Sequence, residues 1–143
     1  MSGHDQRTIG TILAGVRRIA VVGASDDARR PSYGVVGRLL TAGYEIVPVN
    51  PNTPSVHGIP TVASLADITG AVDLVDVFRR PEQTPAVVRD AVAIGAPTVW
   101  LQTGIRSADA RAIAHAGGLA YVEDACLAVE VAAGGHRPGP VRS

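Results

Sequence analysis

Lysine is missing from the sequence: all 13 basic side chains are arginine. That excludes a P-loop lysine, a Schiff-base lysine and a serine-lysine pair. Cysteine occurs once, at Cys126, so no internal disulfide can form, and a solitary thiol suits a reducing, cytoplasmic compartment. Net charge is also absent, with 13 acidic residues against the 13 arginines. No broad electrostatic attraction to nucleic acid or anionic lipid follows, and any anion site must come from local clusters. No apolar run is long enough to span a membrane, and Met1 to Gly10 lacks the apolar centre of a secretory signal. The four histidines, His4, His57, His115 and His136, are too scattered for metal-ligand spacing with Cys126 or a carboxylate pair. Aromatics make up only 3% of the chain. What remains is mostly Val, Ala, Leu and Ile, a mixture suited to buried parallel strands under Ala-rich helices.

The apolar spacing bears this out along the chain. Ile9, Ile12, Leu13 and Val16 recur at helical intervals, which predicts a short helix over Thr8 to Val16. Arg18 to Gly23 is an unbroken apolar run ending in glycine, the pattern of a strand buried on both faces. Val35, Val36, Leu39 and Leu40 mark a second helix, with Ser32 as its N-cap and Gly43 as its stop. Glu45 to Val49 is the next strand, closed by Pro51 and Pro54. Leu74 to Phe78 and Thr98 to Leu101 are further strands, separated by a helix through Val87, Val88, Ala91 and Val92 that stops at Gly95. Ser107 caps another helix ending at Gly117, and Ala120 to Val122 completes the series. Alternation of this kind predicts an α/β fold with a mostly parallel sheet of about five strands and helices on both faces. We expect one domain over residues 1–133, with a Gly-, Pro- and Arg-rich mobile tail at 134–143.

In such a sheet, ligands bind beyond the carboxyl ends of the strands, near the point where strand order reverses. The loops there carry Gly23-Ala24-Ser25, Asn50-Pro51, Phe78-Arg79-Arg80, Gln102-Thr103-Gly104 and Asp124-Ala125-Cys126. Glycine at position 23 lets backbone approach a pyrophosphate at the start of the following helix, with Ser25 donating to it. Arg29 and Arg30 in the first loop, and Arg79 and Arg80 in the third, supply guanidinium groups to converge on phosphates. Phe78 serves either a ligand pocket or the core, and Trp100 belongs to the core. A full G-x-G-x-x-G is absent, and Asn50-Pro51 stands where an NAD site places an acidic residue for the ribose hydroxyls, which counts against NAD. Ser25 lacks the surroundings of a nucleophile elbow, so no catalytic residue is assigned.

Together Val21-Val22-Gly23-Ala24-Ser25, Arg30-Pro31-Ser32-Tyr33-Gly34-Val35, Val47-Pro48-Val49-Asn50-Pro51, Asp73 to Pro81 and Val99-Trp100-Leu101-Gln102-Thr103-Gly104 resemble the CoA-binding protein family, stand-alone relatives of the nucleotide-binding domain of the succinyl-CoA synthetase alpha chain. The likeness implies a Rossmann-like fold that binds coenzyme A or an acyl-CoA. It implies that Gly23, Ala24, Ser25, Arg30, Ser32 and Tyr33 surround the phosphates. Asn50, Pro51, Phe78 and Arg79 then flank the nucleotide, and Gln102 and Gly104 lie by the pantetheine arm. One departure is plain: where relatives usually carry a basic residue before the cysteine, this chain has Ala125.

The reading that follows is non-catalytic binding of a small nucleotide ligand, with no nucleic-acid or membrane partner and with a homo-oligomer left open. Two alternatives stand beside it. One is an NAD-type dinucleotide sensor; the other is a redox protein in which Cys126 exchanges disulfides with CoA.

Overall fold

The computed structural model describes residues 6–140. Helix α1 (Gln6–Ala14) is followed by β1 (Arg18–Val22), α2 (Pro31–Thr41), β2 (Glu45–Val49), the two-residue strands β3 (Ser55–Val56) and β4 (Ile59–Pro60), and β5 (Leu74–Val77). Then come α3 (Thr84–Ala93), β6 (Thr98–Leu101), α4 (Ala108–Ala116), β7 (Ala120–Val122) and α5 (Leu127–Ala133). The five long-range strands pair in parallel in the order β2-β1-β5-β6-β7. The fold is α/β and Rossmann-like, as the alternating apolar runs predict.

Outside β2, Val62 makes a single parallel bridge to Val49. Its N–H donates to the Pro48 carbonyl, and its own carbonyl accepts from Asn50. Val62 thus occupies the place of a further strand beyond β2, reduced to one residue. The small β3-β4 hairpin and this bridge lie between Pro54 and Leu65, a stretch with no strand or helix expected from apolar spacing.

Alternation along each strand splits the apolar residues between two cores. Ile19, Val21, Leu74, Trp100 and Val122 face the side covered by α1, α2 and α5. Ala20, Val22, Val75, Val77, Val99, Leu101 and Tyr121 face the side covered by α3 and α4. Burying each of the larger side chains contributes roughly 1.5–3 kcal/mol, so both layers are needed to offset chain entropy. Trp100 is wholly buried, and its Nε1 donates to the Ala125 carbonyl at 2.9 Å.

Three local features differ from the sequence reading. Helix α2 is capped at Arg30, with Pro31 in the first turn, and Ser32 lies inside the helix. Proline wins this position because its fixed φ and missing N–H suit a first turn. The sequence reading assigns no helix after Ala120–Val122, yet Leu127–Ala133 forms α5, because a run of seven residues is too short for apolar spacing to separate helix from other structure. In the segment expected to be a mobile tail, the Gly139 N–H donates to Val16 and its carbonyl accepts from Arg17 Nη1. The last part of that segment, 141–143, lies outside the described residues, as does His4. No helix among the described residues is long and apolar enough to cross a membrane.

Candidate functional site

The order of the strands places the reversal between β1 and β5, so their carboxyl ends diverge into loops that leave a crevice. Two adjoining cavities open there. The smaller, about 320 Å³, is lined by Gly23, Ser25, Arg30, Ser32, Asn50 and Arg79, with Pro31 and Phe78 at its edge. The larger, about 750 Å³, shares Pro31, Phe78 and Arg79 with it and continues past Val35, Gln102, Ile105 and Cys126. The two form one groove with a polar end and a more apolar end.

At the polar end, the Gly23 turn is organised by its own amides. Gly23 adopts φ 83°, and a Cβ there would run into the Phe78 carbonyl. Its N–H donates to the Val49 carbonyl at 2.9 Å, closing the sheet. The expectation that Gly23 admits a phosphate therefore changes in detail: glycine is required here by the close approach of the β5 end. The Ser25 N–H donates to Ser32 Oγ at 3.1 Å, and the Asp27 N–H donates to Ser25 Oγ at 3.0 Å. Each hydroxyl oxygen thus accepts from the backbone, and each keeps its own proton to donate. Both serines line the small cavity with a hydroxyl proton to donate.

Asn50 braces this loop from β2. Its Nδ2 donates to the Ala24 carbonyl at 2.8 Å, and its Oδ1 accepts from the Asn52 N–H. Of the four arginines picked out from sequence, Arg29 is bound to both oxygens of Asp27 at 3.0 Å and holds that carboxyl below the usual carboxylate range. Arg80 sits 3.8 Å from Glu82. Arg30 and Arg79 line the cavity and have no ion-pair partner among the described residues. Two guanidinium groups without an ion-pair partner and two serine hydroxyls are the groups there that could hold an anion.

Four sequence-nominated residues, Ala24, Tyr33, Gly104 and Pro51, line neither cavity of the groove. Ala24 is fully buried in the core. Tyr33 stacks on His57 with ring centroids 4.0 Å apart, lining a separate depression with Gly37 and Arg38. The helical step of 100° per residue turns it away from its neighbour Ser32. Gly104 is exposed, and its N–H donates to Asp124 Oδ1 at 2.7 Å. That amide and the Arg106 guanidinium hold the Asp124 carboxyl below its ordinary range. Pro51 lines a shallow neighbouring depression that shares Asn50 with the small cavity.

Sequence reasoning missed one residue beneath the groove. Asp76 stands in the middle of β5, fully buried, and its Oδ1 accepts from Gln102 Nε2 at 2.5 Å. Its Oδ2 has no hydrogen-bond partner. Burial pushes the carboxyl up to about 7, against the opposing hydrogen bonds from Gln102 and the Val77 backbone. The signal available was an acidic residue inside the apolar run Leu74 to Phe78. Among the described residues, no group of His, Cys, Asp and Glu side chains is arranged to hold a metal ion.

With this geometry in hand, the comparisons with known proteins are direct. The CoA binding domain family matches residues 17–132. Uncharacterized protein YneT of Bacillus subtilis (strain 168) is 39% identical over 129 residues, covering 90% of this chain and 96% of that protein. A hypothetical protein from Pyrococcus horikoshii OT3 superposes with a TM-score of 0.88 at 33% identity, covering 93% of this chain and 94% of its own. The Thermus thermophilus protein described as cell-free ID.343 superposes with a TM-score of 0.85 at 34% identity, covering 91% and 98%. On the extent of the family match and the identity to full-length relatives, this chain belongs to the CoA-binding domain family.

Proposed function

We propose that the protein binds coenzyme A, free or acylated, in the groove at the carboxyl edge of the sheet and performs no chemistry on it. The observation that carries this reading is the pairing of one polar cavity, holding the unpaired Arg30 and Arg79, with a contiguous apolar one. A ligand of matching form has phosphates at one end and an uncharged, extended arm at the other. In this reading Arg30, Arg79, Ser25 and Ser32 hold phosphoryl oxygens, Gly23 and Asn50 shape the loop, Phe78 packs on the ligand where the cavities join, and Gln102 meets the arm. Residues 1–133 act as one binding domain with 134–143 as its tail, in the cytoplasm, and a homo-oligomer is compatible with the site. Calorimetric titration tests the proposal: CoA gives a saturable heat and NAD does not. No heat with CoA or short acyl-CoAs at millimolar concentration, together with saturable NAD binding, refutes it.

One observation favours a second reading. Cys126 lines the larger cavity and is partly exposed. There its thiolate can attack the disulfide of oxidised CoA, forming a protein-CoA mixed disulfide and releasing one CoA thiolate. Intact mass after incubation with CoA disulfide shows the adduct if this reading holds. Its absence at every pH where a thiolate forms removes the redox role and leaves the binding role standing.

A further inference from the structure

Gln102 leaves the end of β6, lines the larger cavity and is only 4% exposed. Its Nε2 is turned inward on Asp76 Oδ1. A carboxylate accepts hydrogen bonds and has none to give, so it holds the Gln102 amide in one of its two orientations. In that orientation Oε1 has no hydrogen-bond partner among the described residues. Unlike Asp76 Oδ2, it is not sealed beneath other atoms. The donors that line the cavity with it, Arg79, Arg80, Gln83 and Thr103, make no hydrogen bond to it. An acceptor left unbonded there is desolvated by any ligand that fills the space, and this costs free energy unless the ligand brings a donor.

We infer that the Asp76–Gln102 pair gives the larger cavity a fixed acceptor, Gln102 Oε1, which selects a ligand arm bearing an amide N–H. The inference rests on the CoA reading above, since the CoA arm contains secondary amides. Gln102 is the residue that contacts ligand; Asp76 is a positioning residue that acts through it. Without the carboxylate, the amide turns freely and presents its own N–H to an N–H half of the time.

The test is a double-mutant cycle over Asp76→Asn and Gln102→Leu, titrated by calorimetry at pH 8, above the Asp76 value of about 7. The two probes are CoA and adenosine 3′,5′-bisphosphate, which keeps two phosphates and lacks the arm. Gln102→Leu weakens CoA roughly five- to tenfold, the yield of one neutral hydrogen bond, and Asp76→Asn weakens it about twofold, because its Gln102 amide is turned the wrong way half of the time. Neither variant changes bisphosphate affinity measurably, and the double variant is no weaker than Gln102→Leu alone. Losses that are equal for both probes, losses that multiply in the double variant, or no loss at all overturn the inference. Should Gln102→Leu fail to fold, the ratio of CoA to bisphosphate affinity in the near-isosteric Asp76→Asn decides by the same criteria. Failure of the wild-type protein to bind CoA refutes the proposed function and this inference with it. Wild-type binding that Asp76→Asn leaves untouched refutes this inference alone.

Discussion

Replacing Asp76 with Asn should reverse the usual effect of a core polar substitution and stabilise the protein at alkaline pH. Asp76 is wholly buried with one oxygen unpartnered, and burial raises its carboxyl from 3.8 to about 7. Between those values the folded protein keeps a proton that the unfolded chain gives up, so the native state binds more protons. Stability therefore falls as pH rises through that window and levels off above about 7. At about 1.36 kcal/mol for each pH unit between the two values, ionised Asp76 costs the fold roughly 4 kcal/mol. Asn fills the same volume without a charge, and the Gln102 amide can turn to pair with it. Urea unfolding of both proteins from pH 4.5 to 8 gives the stability difference, in which every other titrating group cancels. That difference should move in favour of Asp76→Asn by about 3–4 kcal/mol across the range. A difference that stays flat refutes the assignment of Asp76 as a carboxyl held in a dry site.

Arg30→Ala and Arg79→Ala should each weaken CoA about 10- to 100-fold, the loss of one charge-assisted contact, and the residual affinity should show a shallower salt dependence. An Arg29→Ala variant provides the contrast, because Asp27 already engages that guanidinium. Equal losses in all three, measured by calorimetry, would show that the arginines act only through net charge. Gly23→Ala should lower stability by about 3 kcal/mol in denaturant titration, because a side chain is strained at φ 83° and its Cβ meets the Phe78 carbonyl. A loss below about 1 kcal/mol would mean that the β5 end yields easily.

How far the sequence reaches is clearest at particular residues. Glu45–Val49, Thr98–Leu101 and Ala120–Val122 are strands with the bounds that their apolar runs announce. Ser107 caps its helix, accepting from the Ala110 N–H as its residue type suggests. Gly23, Ser25, Arg30, Ser32, Asn50, Phe78 and Arg79 do meet around one cavity, because the ends of parallel strands must share an edge. Ala24, Tyr33 and Gly104 lie in the same loops and helix but face elsewhere, since a motif names a stretch of chain and not a direction.

Periodicity and turn chemistry are local, so they are written in the residues themselves. They determined the alternation of strands and helices and the sheet edge where the two cavities open. Which partner each side chain takes depends on groups far away in sequence, and only the tertiary structure decided that. It gave Arg29 to Asp27 while leaving Arg30 and Arg79 unpaired, set Phe78 against Gly23, and brought Asp76 under Gln102, 26 positions along the chain. Hydrogen bonds and ion pairs are short-ranged and directional, and no spacing along a sequence encodes which of them the packed chain will bring within reach.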